Sequence, residues 1–359
     1  MSIRSPGPAL ASACLLMLVG CEFAIADWYY VDRPRAMGAR VEVVELGPSW
    51  PARVGYDPLD PPITEPMPGD VLRLEPLMVD GEGRELEPAS IDAIWFQCGT
   101  DRCVRDGELV AGLDDDCSAL AEWTTDSSCK LGAGGQLEFE VPAIGQLTVF
   151  TRYAYYFMVA AVDDSRTAES CWAARQKADH SLDGCVFTDR EVKIGPSWLL
   201  LVEAALTGLE QDIPVYEIPF AVFGQASNRV PVYDTLRLQR HLGDGSMITD
   251  VDGPIHVRPG ERLTVRQHEW RWGYDLQPYF TARETLTPDT YVFLPAVELM
   301  WTEWYTSGSL ARIDDGTTGF VELVIDEQAK PGSTSRLILL WGDDRGSEDM
   351  RVFEFEVDE

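Results

Sequence analysis

An internal repeat of short strand-like segments constrains the fold of this chain more than any other sequence feature. The repeated segments occur in the same order in the two halves, and the first half carries longer insertions between them. Such self-similarity predicts two copies of one supersecondary arrangement. The matched segments are 68–74 with 259–265, 94–95 with 300–301, 137–141 with 321–325, 157–166 with 337–345, and 190–194 with 353–357.

Strand signals dominate both copies. Short runs that alternate apolar and polar residues, or that are rich in aromatic and β-branched residues, predict strands. Long helical periodicity is missing, and the best helix candidate, 199–209, is also compatible with a strand. The stretch 47–68 holds seven prolines, which excludes a helix or a central strand there. The predicted strands of the first copy are 39–46, 71–74, 91–96, 137–141, 153–162 and 191–194.

The order of turns and strands resembles a known class of fold. About seven short strands with a Trp on a central strand resemble an Ig-like sandwich, although the cysteine pair that bridges the sheets of antibody domains is missing. The fuller pattern resembles the tandem Ig-like domains of bacterial surface lipoproteins, over most of 39–359. The motifs that carry this resemblance are Pro68-Gly69-Asp70, Val79-Asp80-Gly81-Glu82-Gly83, Trp95-Phe96-Gln97-Cys98 and Asn228-Arg229-Val230-Pro231-Val232. They imply fold and location, not an activity.

The N-terminus predicts export and lipidation. Arg4 precedes an apolar run, 9–19, which is too short to span a bilayer but fits a signal peptide. The run ends in Leu18-Val19-Gly20-Cys21, which resembles the lipobox of bacterial lipoproteins. This resemblance implies that 1–20 are removed and that Cys21 receives a diacylglycerol. An ordinary secretory signal with a chance cysteine is the alternative.

Six cysteines remain once Cys14 is removed with the signal peptide and Cys21 is lipidated. An even number in an exported chain predicts disulfides, and six cysteines allow 15 connectivities. The local spacings favour sequential pairing, so that each bridge closes a short loop. A zinc site is the alternative, although the pairs are not CxxC motifs and only His180 lies among them. The candidates are Cys98, Cys103, Cys117, Cys129, Cys171 and Cys185.

Charge restricts the partners of the chain. There are 60 Asp and Glu against 29 Lys and Arg, which gives a formal net charge of −31. Such a surface repels nucleic acid, so a nucleic-acid partner is not expected. The apolar fraction of 45% is ample for folded cores and excludes a disordered acidic protein.

A search for catalytic motifs finds none. GxSxG, HExxH and Cys-His pairings are missing around His180, His241, His256 and His268. No Gly-rich loop leads from a strand into a helix, so no cofactor is expected. The carboxylates are numerous enough for a glycosidase-type pair, but their abundance prevents any pair from being chosen. The sequence therefore predicts a non-enzymatic protein, with a carboxylate-dependent enzyme as a weaker alternative.

Two sets of residues are weak candidates for ligand binding. Asp114, Asp115 and Asp116, and the pair Asp163 and Asp164, could bind Ca²⁺, although turn-capping by aspartate explains them more simply. Trp270, Trp272 and Tyr274 alternate along a predicted strand and share one face. If that face is exposed it is a platform for sugar rings or a partner protein; if it points inward it belongs to the core. Trp301, Trp304 and Tyr305 allow the same two interpretations.

These inferences combine into one expected architecture and role. The fold class is all-β, with two tandem Ig-like β-sandwich domains after a lipoprotein signal peptide. The role is that of a non-catalytic structural or adhesive protein of the cell envelope, anchored by its lipid at the outer membrane or cell surface, with a protein or glycan partner. A carbohydrate-binding lipoprotein is the alternative. The segments are a signal peptide (1–20), a lipidated tether (21–37), domain 1 with Cys-rich insertions (38–226) and domain 2 (227–359).

Overall fold

A computed structural model gives the architecture of most of the chain. Strands prevail throughout, and the described part contains one α-helix. The residues that the structure describes are 29–47, 62–99, 103–105, 108–143, 153–177, 180–195, 228–230, 236–241, 247–249, 253–267, 278–284, 291–312 and 320–358.

The N-terminal half contains nine described strands and the helix α1 (Ala168–Arg175). All six strands predicted in this half are confirmed as parts of β1, β2, β3, β7, β8 and β9. The strands are β1 (Arg35–Glu45), β2 (Val71–Val79), β3 (Asp92–Cys98), β4 (Val104–Arg105), β5 (Glu108–Leu109), β6 (Ser128–Ala133), β7 (Leu137–Glu140), β8 (Tyr153–Ala161) and β9 (Cys185–Lys193).

The C-terminal half contributes eleven described strands. They are β10 (Leu236–Arg240), β11 (Met247–Thr249), β12 (Ile255–Val257), β13 (Arg262–Gln267), β14 (Pro278–Glu284), β15 (Tyr291–Val297), β16 (Met300–Ser307), β17 (Leu310–Arg312), β18 (Phe320–Ile325), β19 (Thr334–Asp343) and β20 (Glu348–Val357).

Two sheets of the N-terminal half enclose one core, and we call this unit the N-terminal sandwich. One sheet has the strand order β1-β2-β7 and the other β6-β3-β8-β9. Alternate residues of each strand point into the core, among them Val41, Leu74, Trp95 and Met158. This follows from the two-residue period of a strand, because successive side chains lie on opposite faces.

The C-terminal sandwich repeats this arrangement. Its sheets have the strand orders β11-β10-β13-β18-β17 and β12-β20-β19-β16, with β12 parallel to β20. Val265, Leu323, Leu339 and Phe355 meet in its core. The strands β14 and β15 form a separate antiparallel pair.

The repeated Pro-Gly-acid turn has the same hydrogen bonds in both sandwiches. Asp70 accepts a bond from the backbone N of Met67 at 2.7 Å, and Glu261 accepts the equivalent bond from Arg258 at 2.8 Å. Gly69 and Gly260 have φ angles of 84° and 74°, the left-handed conformation that glycine adopts without strain. The acidic residue therefore caps the turn that starts β2 and β13.

One match within the repeat was wrong. Trp95 lies in the N-terminal core, whereas Trp301, its predicted counterpart, lies on the opposite face of β16 from the C-terminal core. There it contacts Gly342, where a Cβ atom would approach the indole to 2.5 Å. Trp304 occupies the core position, and three residues along a strand reverse the face.

The two sandwiches are joined through an apolar contact and an adjacent polar one. In the apolar contact, Leu77 and Val79 of β2 pack against Ile338, Leu340 and Met350 on the outer face of the β16-β19-β20 sheet. Val31 is 1% exposed and also belongs to this cluster, and its N donates to Thr306 O at 2.8 Å. Residues 29–37, the last part of the predicted tether, therefore belong to the folded structure, because Val31 is buried between the sandwiches and β1 begins at Arg35.

Candidate functional site

The polar contact between the sandwiches is a buried group of charged side chains. The guanidinium of Arg345 donates from Nη2 to Glu65 Oε2 at 2.6 Å and from Nη1 to Glu298 Oε1 at 2.8 Å. Arg345 and Glu65 are both fully buried, although they are 280 residues apart in sequence. We call this group the interface charge cluster; its members are Glu65, Lys193, Asn228, Glu298, Asp343 and Arg345.

Asp343 forms the tight turn that presents Arg345. Its Oδ1 accepts bonds from the backbone N atoms of Arg345 at 2.8 Å and Ser347 at 3.0 Å. Both of its oxygens accept from Asn228 Nδ2 at 3.0 Å. The β19–β20 turn is therefore connected to the segment that leads into the C-terminal sandwich.

The electrostatics of the cluster follow from its burial. Burial opposes the charge of Arg345, but Glu65 and Glu298 outweigh it and raise the pKa of the guanidinium. Burial lowers the pKa of Lys193, whose Nζ lies 3.8 Å from Glu65 Oε1. Buried charges of this kind are stable only when they are paired.

A second ion pair lies beside the cluster. Glu348 pairs with Arg190 and accepts a bond from the backbone N of Ala39 at 3.2 Å. Burial raises the pKa of Glu348, while Arg190 and the Ala39 amide oppose that rise. Arg190 also donates to Gly346 O, so this pair connects β9 of the N-terminal sandwich to the β19–β20 turn.

The six cysteines form the three predicted bridges, and these have a role that the sequence did not indicate. Cys98–Cys103, Cys117–Cys129 and Cys171–Cys185 hold the insertions and α1 over the outer face of the β6-β3-β8-β9 sheet. Beneath them Phe96, Phe157 and Val159 form a separate apolar core. The insertions are therefore a third layer of structure rather than isolated loops.

Two grooves of the described part differ in composition. One, of about 660 Å³, lies between the starts of β1 and β9 and mixes Arg33 and Arg35 with Asp163 and Asp183. The other, of about 410 Å³, lies in the disulfide-bonded layer between residues 108–114 and α1. We call the second one the insertion groove.

The aspartates that were calcium candidates serve mainly as turn and side-chain acceptors. Asp116 Oδ1 accepts from Ser118 N at 3.4 Å, and Asp163 Oδ1 accepts from Ser165 N at 2.8 Å. Asp114 Oδ1 accepts from the side chains of Trp172 in α1 and of Gln176 directly after α1, while Asp115 and Asp164 are exposed. Among the described residues, His, Cys, Asp and Glu side chains form no group of three suited to a metal ion.

The aromatic candidates divide into two groups. Trp270, Trp272 and Tyr274 lie outside the described residues, as does His268. Trp304 and Tyr305 are 2% and 6% exposed, which makes them packing residues of the core and of the sandwich contact. His241 and His256 have ordinary partners: Thr264 Oγ1 at 2.6 Å and Asp358 Oδ1 at 2.9 Å.

Cys21 also lies outside the described residues, which begin at Tyr29. Tyr29 packs against Tyr305 with the rings tilted and 5.8 Å between their centroids, and the guanidinium carbon of Arg312 lies 4.3 Å from the Tyr29 ring centroid. Tyr30 donates its hydroxyl to Gly308 O at 2.7 Å. In the described ranges no helix combines the length and apolar character needed to cross a bilayer.

Sequence reasoning missed the interface charge cluster. Residues 343–345 entered the sequence analysis only as the end of the repeat segment 337–345, and Glu65 lies in a Pro-rich stretch without strand signals. An arginine in a tight hairpin turn is an ordinary surface feature, so no local signal marks it as buried. Comparison with known proteins gives no further guide, because neither a family model nor a curated protein matches the chain.

Proposed function

We propose that this chain is a lipid-anchored, non-catalytic protein of the cell envelope, built from two tandem Ig-like domains with a structural or adhesive role. The observation that carries the proposal is the repeated strand order. β1-β2-β7 opposite β3-β8-β9 recurs as β10-β13-β18 opposite β16-β19-β20. This order supports the proposal, because strands A, B and E lie opposite strands C, F and G in Ig-like sandwiches.

The anchor rests on the Leu18-Val19-Gly20-Cys21 sequence and gains a geometric consequence from the fold. Tyr29, where the chain is held against the C-terminal sandwich, lies eight positions after Cys21 in the sequence. At about 3.5 Å per residue this length keeps the sandwich within about 30 Å of the lipid. A protein held so close to a membrane suits a role at the surface of the envelope.

The contact between the sandwiches supports a structural role. Arg345 and its two carboxylate partners are used to join the sandwiches, and their burial leaves them no access to a substrate. Ion pairs with good geometry resist separation because removing one partner leaves an uncompensated buried charge. A stiff two-domain unit can present a partner-binding surface at a defined distance from its anchor.

Metabolic labelling with palmitate tests the anchor. We expect label on the wild-type protein and on Cys14→Ala, the matched control whose cysteine lies within the signal peptide. Cys21→Ala should carry no label, because it lacks the thiol that is acylated. Label on Cys21→Ala, or its absence from the wild type, would refute the anchor.

A further inference from the structure

We propose that the insertion groove binds a neutral pyranose sugar unit. This inference goes beyond the structural role above and does not depend on the lipid anchor. The groove belongs to the cysteine-bearing layer that the N-terminal sandwich carries over its β6-β3-β8-β9 sheet. Its volume of about 410 Å³ lies within the range of about 300–1,000 Å³ that is usual for small-ligand sites.

All three disulfides hold the walls of this groove. Residues 108–114 form one wall and lie between Cys103 and Cys117, each of which is bonded to a strand of the sheet below. The other wall is α1, which Cys171 ties to the start of β9. Walls fixed before a ligand arrives lower the entropic cost of binding.

Trp172 supplies an aromatic surface in the groove. One side of its indole packs on Phe96, with 4.3 Å between ring centroids, and the half-buried residue also lines the groove. The apolar C–H face of a pyranose ring can pack on such an indole, while the hydroxyls of the ring point outward to polar groups.

Polar groups stand beside that surface in a fixed orientation. Asp114 Oδ1 accepts from Trp172 Nε1 at 3.0 Å and from Gln176 Nε2 at 2.8 Å. Both bonds end on Oδ1 of an exposed residue, so Oδ2 is placed to accept a bond from a sugar hydroxyl. The side chain of Gln176, which also lines the groove, adds a carbonyl acceptor.

The charge around the groove selects against acidic sugars. Glu108 and Asp114 line it, and Asp115 and Asp116 follow directly, whereas Arg175 is the one cationic side chain among the described lining residues. A carboxylate or sulfate on the sugar would meet this negative potential. A neutral glycan is therefore the expected ligand class.

Binding of defined glycans to the full mature chain tests the proposal. We would screen an array of neutral glycans, then titrate cellohexaose, chitohexaose and polygalacturonate by calorimetry in detergent. The expected result is binding of at least one neutral glycan and no binding of polygalacturonate. The proposal would be overturned if no neutral glycan bound, or if polygalacturonate bound as tightly as the neutral glycans.

Variants locate the site. Trp172→Ala should weaken the affinity for the neutral glycan by about tenfold or more. Gln176→Ala, at an exposed position directly after α1, should also lower this affinity. Trp123→Ala is the matched control, because Trp123 is another half-buried tryptophan whose indole bonds to Gln97 outside the groove. Unchanged affinity in both groove variants, or equal loss in Trp123→Ala, would exclude this groove.

Discussion

At the scale of single residues, Arg345 compensates two buried carboxylates, Glu65 and Glu298, that come from distant parts of the chain. Each group alone would be costly to bury, since the burial of a charge without a partner costs on the order of several kcal/mol in lost hydration. The cluster therefore specifies how the sandwiches fit together, and it makes the joint sensitive to the loss of one member.

Arg345→Met should destabilise the protein by about 3–5 kcal/mol, because the two buried carboxylates then lose the guanidinium charge that compensates them. Urea denaturation of the two proteins measures this difference. Arg84→Met is the matched control: Arg84 also pairs with two carboxylates, Asp80 and Glu82, but its side chain is 59% exposed. Equal midpoints for Arg345→Met and Arg84→Met would contradict the role given to Arg345.

Glu348 should give the stability of the protein a measurable pH dependence. Burial raises its pKa in the folded state above the value of 4.5 that applies to the unfolded chain. A group with a raised folded pKa contributes stability that is fully present below pH 4.5 and is lost as the pH rises through the folded pKa.

The wild type should therefore gain stability relative to Glu348→Gln as the pH falls from 7 towards about 4.5. Denaturation of both proteins across this range gives the difference in unfolding free energy, in which other titrating groups largely cancel. A difference that stays constant or shrinks on acidification would show that Glu348 is not held in the buried environment described here.

At the scale of elements, the sequence predicted strands well and their surroundings poorly. The alternation of apolar and polar residues at 137–141 predicted β7. The apolar run 153–162 predicted β8 with an error of one residue at its C-terminal end. That run is apolar on both faces because a core lies on each side of β8, but periodicity does not say what covers the second face.

The helix α1 shows the other limit of sequence reasoning. Its eight residues are too few for clear apolar periodicity, and its stability comes from tertiary contacts and caps. Thr167 and Ser170 form a capping box, and Cys171 is bonded to β9. The best sequence candidate for a helix, 199–209, lies outside the described residues.

The disulfide of α1 should stabilise the insertion layer more than the sandwich beneath it. In the double variant Cys171→Ala/Cys185→Ala we expect a loss of about 3 kcal/mol, because the bond closes a loop across a sequence separation of 14. Limited proteolysis with mass spectrometry should show new cleavage between 163 and 185 while β2, β3 and β8 stay protected. Early cleavage within those strands would contradict a separate layer.

At the scale of the whole molecule, the fold consists of two sandwiches with a shared pattern and different additions. The N-terminal one carries all three disulfides and the insertion groove, and the C-terminal one receives the chain as it arrives from the N-terminus. Under the proposed function, the lipid lies near the C-terminal sandwich, and the groove lies on the other sandwich.

The central claim is that the mature protein begins at a lipidated Cys21, and mass spectrometry of its N-terminal tryptic peptide tests this most directly. Trypsin should release Cys21 to Arg35 as one peptide, because Pro34 blocks cleavage after Arg33. We predict that this peptide carries a diacylglycerol and acyl mass on Cys21. A peptide that contains residues before Cys21, or one with an unmodified Cys21, would contradict the account.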